Sequence, residues 1–409
     1  MRDHRRQFWQ YRILPAIAAL SVAAAVSAGE AAIDTDLVPP SDIPTEEFVE
    51  VSIQRGDVVT AESLPAGSLN FLGSEIEPGT SARLSWSATE LFEGVPVSTP
   101  VLVVNGSNPG PTLCLAAAVH GDELNGIEIV RRVVHDIDPK KLSGTIIGVP
   151  IVNVQGFRRG SRYLPDRRDL NRYFPGNPKG SAAARIAHSF FSKVVLYCDG
   201  LVDVHTGSLS RSNLPQIRAD LRDPDVISLT QGFGSMVILH SEPSAGMLRY
   251  AATRSGVPTV TLEAGGPHIL EPAEVKRGVK GIESLLTSLG MVRKTWPFGG
   301  DPEPVYYSSS WVRSNNGGIL LSNVSLGSTV RQGDLLGTIT DPMNNVRIEL
   351  LSPYSGRIIG MSRNQVVMPG DAAFHIGIEA EDAATVEPSE PFATEEPEET
   401  VQDENRLSE

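Results

Sequence analysis

The chain has 409 residues, of which 40% are hydrophobic and 21% charged, and a formal net charge of −14. That is more than one typical core of ~100–200 residues needs, and the composition is that of an ordinary globular protein. The charge is concentrated at one end: Glu381 to Glu409 holds 11 acids and one base, a net −10, leaving −4 on the remainder, and a near-neutral body without a basic face excludes nucleic acid as a partner.

Taken in chain order, residues 1–28 have the pattern of an export signal peptide. Arg2, Arg5, Arg6 and Arg12 precede the apolar run "ILPAIAALSVAAAV", and Val26-Ser27-Ala28 is a small-residue cleavage site. "RRQFW" loosely resembles a twin-arginine signal. The run is shorter than the ~20 residues of a membrane span, so a membrane is expected as a partner only if this segment stays uncleaved. The expected location is exported, periplasmic or secreted. Residues 29–75 mix prolines, acids and short apolar pieces and read as a linker with a loosely packed extension.

From residue 76 to about 295 the pattern becomes regular. "VSTPVLVVNG" reads as a strand, "SNPGP" as a turn and "TLCLAAAVH" as a buried strand. A helix is expected from Glu123 to His135. "GTIIGVPIVNV" is a strand, "SAAARIAHSFFSKVVLY" has helical spacing, and "GLVDVH" is a short apolar strand. "SMVILH" is read as a strand, "GMLRYAATRSG" as a helix closed by Gly256, and "PTVTLE" as a strand. "PAEVKRGVKGIESLLTSLG" is a helix with proline at its start and Gly290 at its end. Apolar strands alternating with helices predict an α/β sheet covered on both faces.

After a Pro/Gly-rich connector, residues 306–379 read as a separate module of short strands divided by glycine turns. The Pro/Glu/Thr-rich residues 380–409 read as a disordered acidic tail. Cys114 and Cys198 are the only cysteines. Both fall in or beside apolar segments and read as buried thiols, although export would permit a disulfide.

The chemistry-bearing residues fall at strand ends. His120 and Glu123 form a His-x-x-Glu pair where "TLCLAAAVH" gives way to a helix. His205 ends "LVDVH" and Glu263 ends "TVTLE". Open α/β sheets bind ligands beyond the carboxyl ends of their strands, and imidazole with carboxylate is a ligand set for zinc, which in catalytic sites takes three protein ligands and a water. Glu123 is close enough to His120 to share one ion. Glu263 is then free to act as a base toward the water. The basic stretch "RRGSRYLPDRRDLNRYFPG" supplies Arg162 as a clamp for a substrate carboxylate, whose two oxygens match the guanidinium fork. No Gly-x-Ser-x-Gly elbow supports a serine hydrolase.

"NPGPTLCLAAAVHGDELNG", "DLNRYFPG", "VDVHTGS" and "VTLEAGG" together resemble the succinylglutamate desuccinylase/aspartoacylase family, a branch of the zinc carboxypeptidase-like hydrolases. The resemblance spans about residues 80 to 290. It implies a mixed-sheet α/β catalytic domain over residues 76–295 and one zinc ion on His120, Glu123 and His205. Glu263 would be the general base, and Arg162, Asn171, Arg172 and Arg249 would contact substrate. It further implies that Asp169 orients His120 from behind. The expected reaction is hydrolysis of the amide of an N-acylated amino acid or similar carboxylate-bearing small molecule. An exported metallocarboxypeptidase or amidase acting on peptide or cell-wall fragments is the alternative enzyme, and a metal-binding scaffold or sensor the alternative without chemistry. Residues 306–379, through "GSTVRQGDLLGTITDP" and "SPYSGRIIGM", resemble the lipoyl/biotinyl barrel-sandwich domain. No lysine follows Lys294, so this module carries no attached cofactor. Capping the site and supporting a homo-oligomer both remain open for it.

Overall fold

A computed structural model describes residues 67–90, 96–293 and 303–379. The expected signal segment 1–28, the extension up to residue 66, part of the connector before Tyr306 and the acidic tail 380–409 lie outside the described residues.

Of the expected loose extension, residues 69–75 belong to a tight hairpin. Strands β1 (Leu69–Phe71) and β2 (Ser74–Ile76) pair antiparallel. Leu72 and Gly73 both take positive φ (48° and 75°), the turn geometry that matches the twist of two-residue hairpins. Phe71 and Ile76, at the inward positions, are buried in the main core.

The central element is a mixed sheet of 13 strands among the described residues. Its middle is parallel: β6 (Ser143–Val149), β5 (Asn108–Ala117), β7 (Gly200–His205) and β10 (Thr259–Gly265) lie side by side in that order. β4 (Pro96–Asn105) and β3 (Thr80–Glu90) extend it antiparallel beyond β6. The residues expected as a turn, "SNPGP", already belong mostly to β5, which begins at Asn108. β5, β7 and β10 are apolar along their inner stretches because helices cover both faces. One cover is α1 (Leu124–Asp136), which turns Ile129, Val130, Val133 and Val134 inward. Another is α6 (Pro272–Ser288), which packs against α1 and opens on Pro272. Each such aliphatic side chain contributes roughly 1.5–3 kcal/mol on full burial. Between these lie α2 (Val154–Arg158), α3 (Ala182–Lys193), α4 (Pro224–Thr230) and α5 (Leu248–Arg254).

The pattern of the sequence does not announce β8 (Arg211–Ala219), which pairs antiparallel with β10. Pro215 sits in its interior, and proline, lacking an N–H, reads against a central strand. β9 (Val237–His240) lies parallel to β8, β11 (Val305–Tyr306) lies parallel to β9, and β14 (Thr329–Val330) pairs antiparallel with Gly356 and Arg357.

The C-terminal strands do not stand apart from this sheet. β17 (Gly356–Ser362) pairs with β8, β19 (Ala372–Ile378) with β17, and β12 (Ser309–Arg313) with β19. The sheet therefore runs from the parallel centre into the all-β region expected as a separate module. A second sheet of four strands, β16 (Val346–Leu351), β15 (Leu335–Asp341), β13 (Gly318–Ser322) and β18 (Val366–Val367), closes that region. Its core holds Leu336, Ile339, Ile358, Phe374 and Ile376.

Cys114 and Cys198 are buried, as expected, but they are joined in a disulfide rather than being free thiols. Cys114 lies on β5 opposite Leu201 of β7, and Cys198 is three residues upstream of Leu201. Adjacent strands bring the two sulfurs together across 84 residues of sequence.

Candidate active site

The site forms beyond the carboxyl ends of β5, β7 and β10. After β5 the chain turns sharply, with Ala118 at φ 47°, and delivers His120. Gly121 follows because nothing larger fits: a Cβ there would lie 2.1 Å from the backbone of Gly156 and Phe157 in α2. Glu123 is the N-cap residue of α1, yet its side chain caps nothing and points to the histidines instead. Asn125, in the first turn of α1, donates to the Ala264 carbonyl at 2.9 Å and accepts from the Glu271 N–H at 2.8 Å. It thereby ties the start of α1 to the segment following Glu263.

His120, Glu123 and His205 converge. Glu123 Oε1 lies 2.8 Å from His120 Nδ1 and Glu123 Oε2 lies 2.9 Å from His205 Nδ1. The two Nδ1 atoms are 3.2 Å apart. All three side chains are buried. The opposite nitrogen of each ring rests on a carboxylate: His120 Nε2 is 3.1 Å from Asp169 Oδ1, and His205 Nε2 is 2.8 Å from Asp203 Oδ2. Those carboxylates only accept, so each Nε2 carries a hydrogen, and in the neutral ring Nδ1 is the nitrogen left with a lone pair.

This donor set fits a divalent ion. A zinc ion sits ~2.0–2.2 Å from nitrogen and oxygen ligands, which spaces tetrahedral ligand atoms by roughly 3.3 Å, close to the separations here. Two lone pairs facing each other beside a carboxylate repel unless a cation or protons lie between them. Imidazoles backed by carboxylates are the usual arrangement around such ions.

The same carboxylates also favour an added proton on each imidazole, and a divalent ion would compete with those protons for Nδ1. Burial and the Arg162 guanidinium act to lower His120, but Glu123 and Asp169 outweigh them and hold it above its ordinary value. Burial likewise opposes the charge on His205, and Asp203 with Glu123 raise it well above normal. Glu123 is pushed up by burial, but the two histidines hold it well below the usual carboxylate range. Asp169 is held low in the same way by His120 and then Arg162.

Arg162 is drawn into this cluster. Its Nη2 donates to Asp169 Oδ2 at 2.8 Å and its Nη1 to Ser208 Oγ at 2.9 Å, and Nη1 lies 3.7 Å from Glu123 Oε1. Asp169 also accepts from the Asn171 N–H at 2.9 Å, in a single helical turn at Leu170–Arg172. Asn171 is buried, and its Oδ1 accepts from the Leu248 N–H at the start of α5. Arg172 is half-buried and donates to the Asn171 carbonyl at 2.9 Å. Arg249, next to Leu248, is buried, with Nη1 donating to the Ser241 carbonyl at 2.8 Å. Burial and then the neighbouring Arg218 push it down to about 10.

Glu263 pairs in register with His205 on the adjacent parallel strand, so both side chains face the same side of the sheet. Its Oε2 accepts from Asn213 Nδ2 at 3.0 Å, and its Oε1 lies 3.6 Å from Arg218 Nε.

The structure joins His120, Glu123, His205, Asp169 and Arg162 by direct contacts and turns Glu263 to the face of His205, whereas the side chains of Asn171, Arg172 and Arg249 bond to Leu248, the Asn171 carbonyl and Ser241. Sequence reasoning missed Asp203, Asn213, Ser208 and Arg218. Asp203 had a usable signal: in "VDVH" it stands two residues before His205 on a strand, hence on the same face. His268 has its Nε2 3.6 Å from Asp122 Oδ2.

Residues 109–289 match the model of the succinylglutamate desuccinylase/aspartoacylase catalytic domain. The chain is 28% identical over 257 residues to the N-alpha-acetyl-L-2,4-diaminobutyric acid deacetylase of Halomonas elongata, covering 60% of this chain and 75% of that one. Among solved structures, the product-bound ectoine utilization protein EutE (DoeB) from Ruegeria pomeroyi aligns with a TM-score of 0.65 and 26% identity, over 73% of this chain and 95% of its own. A succinylglutamate desuccinylase from Silicibacter sp. TM1040 aligns with a TM-score of 0.63 and 26% identity, over 72% and 93% of the respective chains.

Proposed function

Through residues 109–289 the chain belongs to the succinylglutamate desuccinylase/aspartoacylase family, and from that premise we propose that it is a zinc-dependent deacylase of N-acyl amino acids. The observation that carries this reading is the convergence of His120, Glu123 and His205 on one point, with Glu263 on the neighbouring strand. A similar deacetylase acts on an acetylated diamino acid, as its name states.

The chain's own residues divide the work as follows. His120, Glu123 and His205 would hold the ion, with Asp169 and Asp203 fixing the two imidazoles in the tautomer that leaves Nδ1 free to bind. A zinc ion bound there would supply a water of pKa lowered toward ~7 and a Lewis acid for an amide carbonyl. Glu263 accepts the proton of the attacking water and passes it to the leaving nitrogen. Arg162, beside Glu123, together with Asn171, Arg172 and Arg249, is assigned in this reading to bind a substrate carboxylate, for which guanidinium and amide donors are suited. The test is hydrolysis of a panel of N-acetyl and N-succinyl amino acids, and of short peptides, by protein of measured zinc content. Metal-dependent release of a free amino acid is the expected result. Zinc-loaded protein that turns over peptides alone would overturn the substrate class.

We also infer that the chain works outside the cytoplasm. The Cys114–Cys198 disulfide supports this, because such bonds persist mainly in oxidising compartments. Cell fractionation with thiol titration tests it. Recovery of the native protein in the cytosol with two free thiols would sink the inference.

A further inference from the structure

We propose that Asn213 is a positioning residue that fixes the orientation of Glu263, and that the C-terminal strands hold it there. This rests on the reading of Glu263 as the proton acceptor. Among the described residues, Asn213 is the only side chain within hydrogen-bond distance of the Glu263 carboxylate, with Nδ2 3.0 Å from Oε2. Both residues are buried. A carboxylate only accepts, so the amide must turn its NH2 toward it. The Asn213 Oδ1 is left buried without a partner, a cost the fold sustains to keep the donor aimed at Glu263.

The backbone is shaped for this contact. On β8, Gln216 lies opposite Glu263, and Asn213 lies opposite Gly265. Three steps on β8 thus match two on β10. In a regular ladder Asn213 would project from the opposite face to Gln216. One extra residue on β8 returns it to the face of Glu263, which is what a bulge does beside a functional residue. Pro215 falls inside this irregular step, where a missing N–H is tolerated.

The far side of Asn213 is walled by the C-terminal strands. β17 places Gly360 opposite Asn213. A Cβ on Gly360 would meet Asn213 Oδ1 at 2.9 Å, the His375 Cβ at 3.0 Å and the Trp311 ring at 3.3 Å. His375 and Trp311 stack with planes 7° apart. Asn213 is therefore seated between the base and Gly360 of β17, which lies against the stacked His375 and Trp311. The all-β region contributes to the chemistry through this seat, and it touches no reacting atom in doing so.

The test uses the full chain loaded with zinc and the most rapidly hydrolysed N-acetyl or N-succinyl amino acid. Misplacing a reacting group by ~1 Å costs on the order of 100-fold. Asn213→Ala should therefore lower kcat by ~10–100-fold with KM within about twofold, at unchanged zinc content and unfolding temperature. Asn213→Asp keeps the shape but loses the donor, so it should be at least as impaired; a packing role would tolerate it. Gly360→Ala, which displaces Asn213 without changing its chemistry, should lower kcat in the same direction. If Asn213→Ala does not fold, the isosteric Asp variant carries the comparison. Wild-type kcat in the Asn213 variants, alongside an inactive Glu263→Gln, would overturn the proposal and leave the base in place. Full activity of Glu263→Gln would remove both the base and the proposal.

Discussion

His120 and His205 face each other through the same ring nitrogen, Nδ1 to Nδ1 at 3.2 Å, while the far nitrogen of each is held by an aspartate. Neutral rings in that arrangement repel; a shared cation makes it favourable. Bound zinc stabilises the folded chain by mass action, by about 4 kcal/mol when free zinc is ~1,000 times its Kd. Removing zinc with a chelator should lower the unfolding temperature, abolish hydrolysis, and be reversed by added zinc. Protons compete for the same lone pairs, so zinc retention should weaken as pH falls. A chelator-treated protein with unchanged stability and activity would contradict the metal reading.

Asp203 is expected to matter nearly as much as the ligands. Its Oδ2 is 2.8 Å from His205 Nε2, and it lies buried on the same strand face. Asp203→Asn preserves the shape but removes the charge that makes the imidazole a better donor to metal. Partners of this kind are worth ~10–100-fold in metal affinity. Competition with a chromophoric chelator should therefore show zinc bound ~10–100-fold more weakly. An unaltered affinity would mean Asp203 only fills space.

What the sequence made legible, and what it hid, divides along physical lines. His120, His205 and Glu263 could be read because apolar runs mark buried strands, and their carboxyl ends are where such sheets bind ligands. Glu123 came with them through helix geometry. β8 was hidden because Pro215 contradicts a central strand, and the bulge at that point is a tertiary accommodation. Asn213 was hidden for the same reason, since its facing depends on the bulge. The disulfide could not be read because it depends on β5 and β7 being neighbours. The all-β region was read as separate because its composition changes, whereas its pairing with β8 leaves no local signal.

The Cys114–Cys198 bond closes a loop of 84 residues within the core. By the chain-entropy account, a loop of that length is worth roughly 4–5 kcal/mol against the unfolded state, with measured native disulfides at ~2–5 kcal/mol. Cys114→Ala/Cys198→Ala should lower stability by that amount in urea unfolding, with kcat unchanged in the surviving folded fraction. A loss under ~1 kcal/mol would show that the pair is not bonded in the native protein.

His375 should give the folded protein a specific acid sensitivity. Burial, and then the charges of Arg218 and Arg211, hold its imidazole well below the ordinary value. Below pH ~6.5 the unfolded chain takes up a proton that the folded chain refuses. Stability is then lost as pH falls, by up to ~1.4 kcal/mol per pH unit, until the folded-state value is reached. His375→Gln should flatten this slope between pH 7.5 and 5.5 relative to wild type. The metal-site histidines are common to both proteins and cancel in the difference. Parallel stability profiles would refute the assignment.

Arg249 separates a structural from a functional role for a buried cation. Among the described residues no carboxylate lies within ion-pair distance of it, its Nη1 donates to the Ser241 carbonyl, and its Nε is buried without a partner. Burying a charge on those terms costs stability, and apolar replacements of buried charges are often neutral or stabilising. A group retained at such a cost is expected to act on something that arrives later, here a substrate carboxylate. Arg249→Met should therefore leave the unfolding midpoint unchanged or raise it, while KM for a carboxylate-bearing substrate rises by at least ~10-fold, since a hydrogen bond to a charged group is worth ~1.5–3 kcal/mol. If stability falls by several kcal/mol while KM holds, the guanidinium is a structural strut and plays no part in binding.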